Sequence, residues 1–432
     1  MNAFVVLALL ALQPPEVSAA QRLTMDQVVR MAVESSSALK AARARARGNE
    51  EQAKSLRGRL LPSVNLSDEW QRWDSRFFPT LDLPPPASAA SFLARDLYTN
   101  TFVASAGQPL LGLLRLSSDR SALSHSADAA AFDTQTLEAN LRDEVRAQFL
   151  RMFEARTLAG VARASQTQLG EQILVAQEKL TAGVLTPADV LRLDVAAANA
   201  KQQEIQALAA EEVSRAVLLV ALGRGPHDDS IGFVEPITPE TADAAESDLA
   251  PLVAKALRQR TEIRSTALSA KAASAGASAR TYDLLPEVDL EAGYMHITGQ
   301  TFVKKDSAFV GLKAGWQIWD WGARWYQHRV AESQAEAARA QADDARRRVE
   351  ADVAVRVANV RATGSALEAG RTAIGSAEEA YRVTTVLLAA GSANTTDLLD
   401  AQSALTQARL NFARARYEYT LARMGLVRAL GD

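Results

Sequence analysis

The sequence predicts a mainly α-helical protein with a small β part: long antiparallel coiled-coil helices plus four short strands. Three observations carry this. Between Pro109 and Pro187, and from Pro286 to the C-terminus, there is no proline, and since proline breaks helix interiors, long helices can run there. Inside these stretches apolar residues recur at steps of four and three, as in Leu137, Leu141, Val145, Phe149 and Met152, and again in Val349, Val353, Val357 and Val360. That is the seam of a helix packed lengthwise on other helices. Four short segments alternate apolar and polar residues instead, the period of a strand with one oily and one wet face.

The chain opens with MNAFVVLALLALQPPEVSAA, an apolar run followed by a proline pair and small residues at Ser18, Ala19 and Ala20. Residues 1–20 read as an export signal peptide. No Lys or Arg precedes the run, so a buried N-terminal helix is the alternative. The run is too short to span a bilayer as a helix, and no later segment approaches the ~18 uncharged apolar residues that a spanning helix needs. Entry into a membrane therefore requires another kind of element.

Helical stretches are expected over 26–58, 115–181, 187–222, 251–281, 323–390 and 395–429, rich in Ala, Leu, Arg, Glu and Gln, all strong helix formers. The longest would extend about 100 Å at 1.5 Å per residue. In the strand-like segments, Val288, Leu290, Ala292 and Tyr294 alternate with Glu287, Asp289, Glu291 and Gly293. Val310, Leu312, Ala314, Trp316 and Ile318 alternate with Phe309, Gly311, Lys313, Gly315 and Gln317. Earlier, Val64, Leu66 and Trp70 alternate with Ser63, Asn65, Glu69 and Gln71, and a fourth strand is expected near 101–110. Each is about the length of a tilted strand crossing a bilayer. Long loops at 73–99 and at TGQTFVKKDS, with aromatic residues at strand ends (Trp70, Tyr294, Trp316, Trp319, Trp321), fit a barrel with interfacial girdles. The same alternation would serve a soluble hairpin pair packed on helices. Lys304 and Lys305 are expected at an exposed loop tip.

The chain repeats itself. Leu60-Leu61-Pro62 matches Leu284-Leu285-Pro286, Gln108 and Arg115 match Gln317 and Arg324, and LTAGVLTPADVL from Leu180 matches LAAGSANTTDLL from Leu388. Each half reads as helix, hairpin, long helix, tight turn, helix. The expected organisation is a first repeat at 21–222, a polar Pro/Gly-bearing linker at 223–250, and a second repeat at 251–432. One half cannot bury its own faces, so the two must stack.

Composition excludes several classes. The formal net charge is −3, with acids and bases interspersed, which argues against a nucleic-acid partner. There is no cysteine, so disulfides, thiol catalysis, Cys-type zinc sites and an acylated N-terminal cysteine are ruled out. His125, His227, His296 and His328 are scattered without ligand spacing, so no metal or other cofactor is expected. No GxSxG, Walker A or HExxH pattern occurs, the lone GRG at 223–225 reads as a linker turn, and no enzyme is expected.

From about Leu23 to Gly431 these landmarks resemble the TolC family of outer-membrane efflux proteins. The likeness rests on LLPxVxL before a hairpin, WQIWDWGARW before the second long helix, and AAGSANTTDLLDAQSALTQARLNFARARYEYTLARMGLVRALG at the end. The resemblance implies a homotrimer in which each chain gives four strands to one twelve-stranded outer-membrane β-barrel and its helices to a periplasmic tunnel. It also implies the partners: a periplasmic adaptor (membrane fusion) protein, an inner-membrane pump and outer-membrane lipid. The implied function is a passive exit duct of a tripartite efflux pump or type I secretion system, opened at its helical tips. A soluble periplasmic coiled-coil scaffold or adaptor is the alternative.

Two sets of residues stand out under that resemblance. Asp397 and Asp400, in NTTDLLDAQ, match an Asp-x-x-Asp pair that lines the periplasmic constriction in the family. Asp397 has a second reading as the third residue of a helix capped by Asn394, just as Thr186-Pro187-Ala188-Asp189 begins the matching helix of the first half. Asp400 lies one turn on and matches Arg192, so capping does not require it. Leu388 and Ala393 replace the tyrosine and arginine that latch the closed state in the best-known pattern, so another device must hold this entrance. Glu287, Asp289 and Glu291 would line the barrel lumen if Val288 and Leu290 face lipid; on a soluble sheet they would be a solvated face.

Overall fold

Two helices of 70 and 67 residues dominate the chain, each about 100 Å long at 1.5 Å per residue. The computed structural model describes residues 21–81, 90–242 and 248–431; the expected export signal at 1–20 lies outside them. The elements in order are β1 (Gln21–Leu23), α1 (Met25–Ser35), α2 (Ser37–Arg59), β2 (Ser63–Arg72), β3 (Thr80–Leu81), β4 (Ala90–Ser91), β5 (Arg95–Pro109), α3 (Gly112–Thr181) and α4 (Pro187–Ala221). There follow β6 (Ile231–Phe233), α5 (Leu249–Gln259), α6 (Thr261–Tyr282), β7 (Glu287–Gln300), β8 (Asp306–Gly315), α7 (Ala323–Ala389) and α8 (Thr395–Ala429).

The two long helices end in the same way. Gly183 and Gly391 adopt φ of 70° and 75°, the left-handed conformation that costs glycine least. Beyond them Val184 N donates to Lys179 O and Ser392 N to Leu387 O, each at 2.9 Å, which satisfies carbonyls left open at the helix end. The next helix starts at once, with capping boxes Thr186/Asp189 on α4 and Asn394/Asp397 on α8.

Two expected single helices are each broken. The stretch at 26–58 divides at Ser36, whose ψ of 113° leaves the helix and whose hydroxyl accepts from Leu39 N at 3.2 Å to start α2. The stretch at 251–281 divides at Arg260, with ψ of 129° and its guanidinium 2.7 Å from Asp352 Oδ2. The parallel pair β1 and β6 joins Gln21–Leu23 to Ile231–Phe233, a pairing too short to register as a period in the sequence. The fourth strand begins at Arg95 rather than near 101, and β8 spans Asp306–Gly315, leaving Trp316 and Ile318 beyond its end.

The chain forms two compact units. The helical unit takes in residues up to 40 together with 136–260 and 348–432. Its main core joins Val28, Ala32, Phe149, Phe153, Leu218 and Tyr417 from α1, α3, α4 and α8, closed by Leu23 and Ile231 of the short parallel pair. A second core, around Leu169, Ala176, Val190 and Leu193, sits beside the turn between α3 and α4. Ion pairs one heptad apart tie that hairpin together: Arg156 to Glu211 at 2.6 Å and Arg163 to the buried Glu204 at 2.8 Å.

The sheet unit comprises 41–135 and 261–347. Its antiparallel sheet has the order β2-β5-β7-β8, so the two hairpins of the repeat meet along β5 and β7. The repeated arginines hold the junctions between strands and helices. Arg115 Nη1 lies 3.1 Å from Asp283 Oδ1, and Arg324 donates to Asp320 Oδ2 at 2.9 Å and to Asp283 O at 3.0 Å. Asp320 also accepts from Gly322 N and Arg324 N, which fixes the turn where Trp321 is held at φ 58°. Bonding to the Arg324 side chain keeps the Asp320 carboxyl below the usual carboxylate range.

Candidate duct surfaces

The register of the sheet divides its side chains into two faces. Val64 pairs with Ala106, Ala106 with Ala292 and Ala292 with Val310, while Leu290 pairs with Leu312. Because alternate residues share a face, Leu66, Trp70, Val288 and Tyr294 lie on this apolar side. The face is open: Val64 is 74% exposed, Val310 76% and Leu312 69%. Such a contiguous oily surface is unusual on a protein bathed in water and marks an interface with apolar surroundings.

The opposite face is polar and carries Ser63, Asn65, Glu69, Ser105, Glu287, Asp289, Glu291 and Lys313. The sequence-predicted trio Glu287, Asp289 and Glu291 is thus brought together on one side of β7. Asp289 pairs across the strands with Lys313, whereas Glu287 and Glu291 face Gly315 and Gly311. Lys313 was legible as a member of the polar alternation of its strand, but its position opposite Asp289 needed the register. Phe309 lays its ring over Gly293, where an added Cβ would come within 2.8 Å of it. At the helix end of this face, a cleft of about 570 Å³ is lined by Arg115, Asp283, Glu287, Asp289, Gln317 and Arg324.

The second candidate surface belongs to the helical unit, at the turns joining α3 to α4 and α7 to α8. Asp397 completes the cap of α8: its N–H donates to Asn394 Oδ1 at 2.9 Å, and its Oδ2 accepts from Asn394 N at 2.9 Å. Asp189 does the same on α4, and the Thr186 hydroxyl, at 2.7 Å, together with the Thr186 N–H holds the Asp189 carboxyl below its usual range. Asp400 is exposed one turn on and takes no part in the cap. Its counterpart Arg192 reaches the other hairpin instead, donating from Nη1 to Thr396 Oγ1 at 2.9 Å. The sequence repeat flagged Arg192 but could not disclose its partner. A cleft of about 370 Å³ nearby is lined by Gln172, Val175, Tyr381, Leu388 and Leu398, with Gln172 Nε2 donating to the Tyr381 hydroxyl at 2.8 Å.

No helix among the described residues is long and apolar enough to cross a membrane, and no group of His, Asp or Glu among them is arranged to hold a metal ion. The sequence profile of the outer membrane efflux protein family matches residues 252–432, which span α5 to α8 and both strands of the second hairpin. Over this stretch the chain is similar to the outer membrane efflux protein family. Outer membrane efflux protein BepC of Brucella suis biovar 1 (strain 1330) is 23% identical over 318 residues, which are 70% of this chain and 68% of BepC.

Solved structures show a likeness of fold over nearly the whole chain. The outer-membrane channel OprN superposes with a TM-score of 0.80 at 20% identity, covering 94% of this chain and 89% of OprN. The outer membrane protein VceC of Vibrio cholerae gives 0.79 at 17% identity, covering 94% and 96%. The MtrE outer membrane channel of Neisseria gonorrhoeae, in its open state, gives 0.76 at 17% identity, covering 94% and 89%. The mainly helical fold with a four-stranded sheet is therefore that of these outer-membrane proteins, including the stretch that the family profile does not reach.

Proposed function

We propose that the chain is one subunit of a trimeric exit duct in the outer membrane, serving a tripartite efflux pump or type I secretion system. One observation carries this reading: a four-stranded sheet with an open apolar face, a polar face and two edges, β2 and β8, that are unpaired among the described residues. Four strands cannot close, and an unpaired edge in lipid would leave backbone groups without hydrogen bonds, so sister chains must supply the missing wall. The apolar face then meets lipid and the polar face, with Glu287, Asp289 and Glu291, lines the water-filled lumen.

The helices supply the periplasmic tunnel, and the exposed Leu191, Val195 and Val213 along α4 offer apolar surface to neighbouring helices. Asp397 and Asp400 of three chains form an acidic constriction at the helical tips, where a periplasmic adaptor and an inner-membrane pump dock. The duct is passive and performs no covalent chemistry. A soluble scaffold is disfavoured because such a chain would have to leave the Val64, Val310 and Leu312 face in water.

Leu290→Arg or Leu312→Arg tests the reading. At the bilayer midplane either change should cost about 2 to 4 kcal/mol and abolish the heat-modifiable trimer in detergent-extracted membranes. A variant that assembles normally, or a parent protein extracted without detergent as a monomer, would reject the duct.

A further inference from the structure

Along the four strands β2, β5, β7 and β8, nearly every described residue is open or half open to its surroundings, and only Thr99 and Ile297 are buried. Thr99 pairs with Gln71, and Ile297 pairs with Thr101, which in turn pairs with Glu69. Both therefore lie on the polar face, at its loop end. Something of the chain's own covers the wet side of the sheet there.

The cover is built from the two loops. Trp73 N continues the ladder by donating to Leu97 O at 2.8 Å, which puts the indole on the polar face, and its Nε1 donates to Thr99 Oγ1 at 3.1 Å. The Arg95 guanidinium lies flat on that indole, 3.6 Å from the ring centroid, with its Nε buried and without a hydrogen-bond partner. Stacking on the ring thus takes the place of hydrogen bonds for that edge of the cation.

The first loop is pinned back over this stack by Phe77 N to Arg95 O at 3.0 Å and Ala94 N to Phe77 O at 2.9 Å. The second loop is fastened to the first by Thr301 N to Ala94 O at 3.2 Å and by the Phe92 and Phe302 rings, edge to face at 4.6 Å. Gly299, at φ 82°, brings the backbone so close to Tyr98 that an added Cβ would lie 2.1 Å from the Tyr98 carbonyl oxygen. The described residues of two loops that the sequence presents as separate are fastened to one another.

We propose that this clasp is a constriction at the outer mouth of the duct, in which Trp73 and Arg95 set the largest solute that can leave, and the Phe92–Phe302 contact holds them in place. It rests on the duct reading above, because only there does the polar face border a lumen. The outer opening then carries a fixed cation at Arg95, in contrast to the carboxylates of Glu287, Asp289 and Glu291 at the other end of the same face. Anionic and small solutes pass most easily.

The absence of cysteine gives a clean test. Ser105→Cys places one thiol on the polar face below the clasp, and intact cells are treated with a small charged methanethiosulfonate or with a maleimide on a long polyethylene glycol. The small reagent should label Ser105→Cys in every background. The long reagent should fail on the parent and succeed when Trp73→Ala, Arg95→Ala or Phe302→Ala is added, each judged only where the trimer survives on a gel. Equal labelling of the parent by both reagents, or continued exclusion of the long one from assembled variants, overturns the constriction. Failure of the small reagent with Ser105→Cys alone overturns the duct reading instead.

Discussion

Arg192 on α4 donates to the Thr396 hydroxyl on α8 at 2.9 Å, a side-chain bond that joins the first helical hairpin to the second at the starts of α4 and α8. Arg192 is also 4.0 Å from Asp189 on its own helix, which orients the guanidinium without consuming it. Leu388 and Ala393 cannot supply a polar latch, and this bond lies within a few residues of them. Both partners are exposed, so the bond contributes about 1 kcal/mol, roughly a fivefold change in any closed-to-open balance it governs. Arg192→Ala and Thr396→Val should each raise the open probability of the purified trimer in planar bilayers, and the double variant should do no more than either one. Additive effects would show that the two residues act separately.

Asp397 and Asp400 separate by what each does when the chain is folded. Asp397→Ala removes the carboxylate that accepts from Asn394 N while keeping the N–H that donates to Asn394 Oδ1, and should cost about 1 kcal/mol of stability, whereas Asp400→Ala leaves the cap intact and should melt like the parent. If the two carboxylates also ring the constriction, the double alanine variant loses block of single-channel current by multivalent cations. Block that persists unchanged in the double variant leaves Asp397 as a cap only.

Much of this architecture could be read from the chain because it rests on repeated local rules. Proline-free runs gave the long helices to within a few residues, and period-two alternation sorted Glu287, Asp289 and Glu291 onto one face before any strand was paired. What could not be read depends on partners distant in sequence. Ser36 and Arg260 break helices whose local propensity is continuous, β1 finds β6 across some two hundred residues with only three pairs, and Trp73 and Arg95 looked like loop residues until strand pairing put them on the wet side of the sheet. The tip shows both outcomes: the Asn394/Asp397 cap is a local motif and was legible, while the Arg192 to Thr396 bond joins two helices that share no local signal.

The fastening of the two loops makes a prediction about glycine. At Gly299 a Cβ would collide with backbone, 2.1 Å from Tyr98 O and 2.9 Å from Thr99 Cα, and the residue holds φ of 82° besides. Gly311, on the neighbouring strand, has nothing within 4 Å of a built Cβ. Gly299→Ala should therefore destabilise the protein by about 2 kcal/mol or more, since backbone strain and a clash that no side chain can relieve combine. Gly311→Ala should be near neutral. Thermal melts of the detergent-solubilised protein compare them, and equal behaviour would remove the close approach of Gly299 as a structural requirement.

Acid dependence provides a prediction of the opposite kind, because two carboxyls of the helical unit titrate in opposing senses. Burial pushes the Glu154 carboxyl up, the neighbouring Glu418 adds to this, and Arg414 and Arg151 only partly offset it. A carboxyl whose folded pKa lies above its unfolded value, about 4.3, binds more protons folded than unfolded, so its contribution favours folding in acid and is lost as pH rises through that window. Asp352 behaves conversely: burial pushes it up, but hydrogen bonds from Arg260 and Arg356 outweigh that and hold it below the usual range. Its contribution is present above its unfolded pKa and disappears as pH falls. Glu154→Gln should therefore raise the Tm at neutral pH and lose that advantage toward pH ~4, while Asp352→Asn should lower the Tm at neutral pH and converge with the parent in acid. Melting curves of the three proteins across this range decide the matter: an offset for Glu154→Gln that stays constant with pH would mean that packing, not the ionisation of a half-buried acid, accounts for the change.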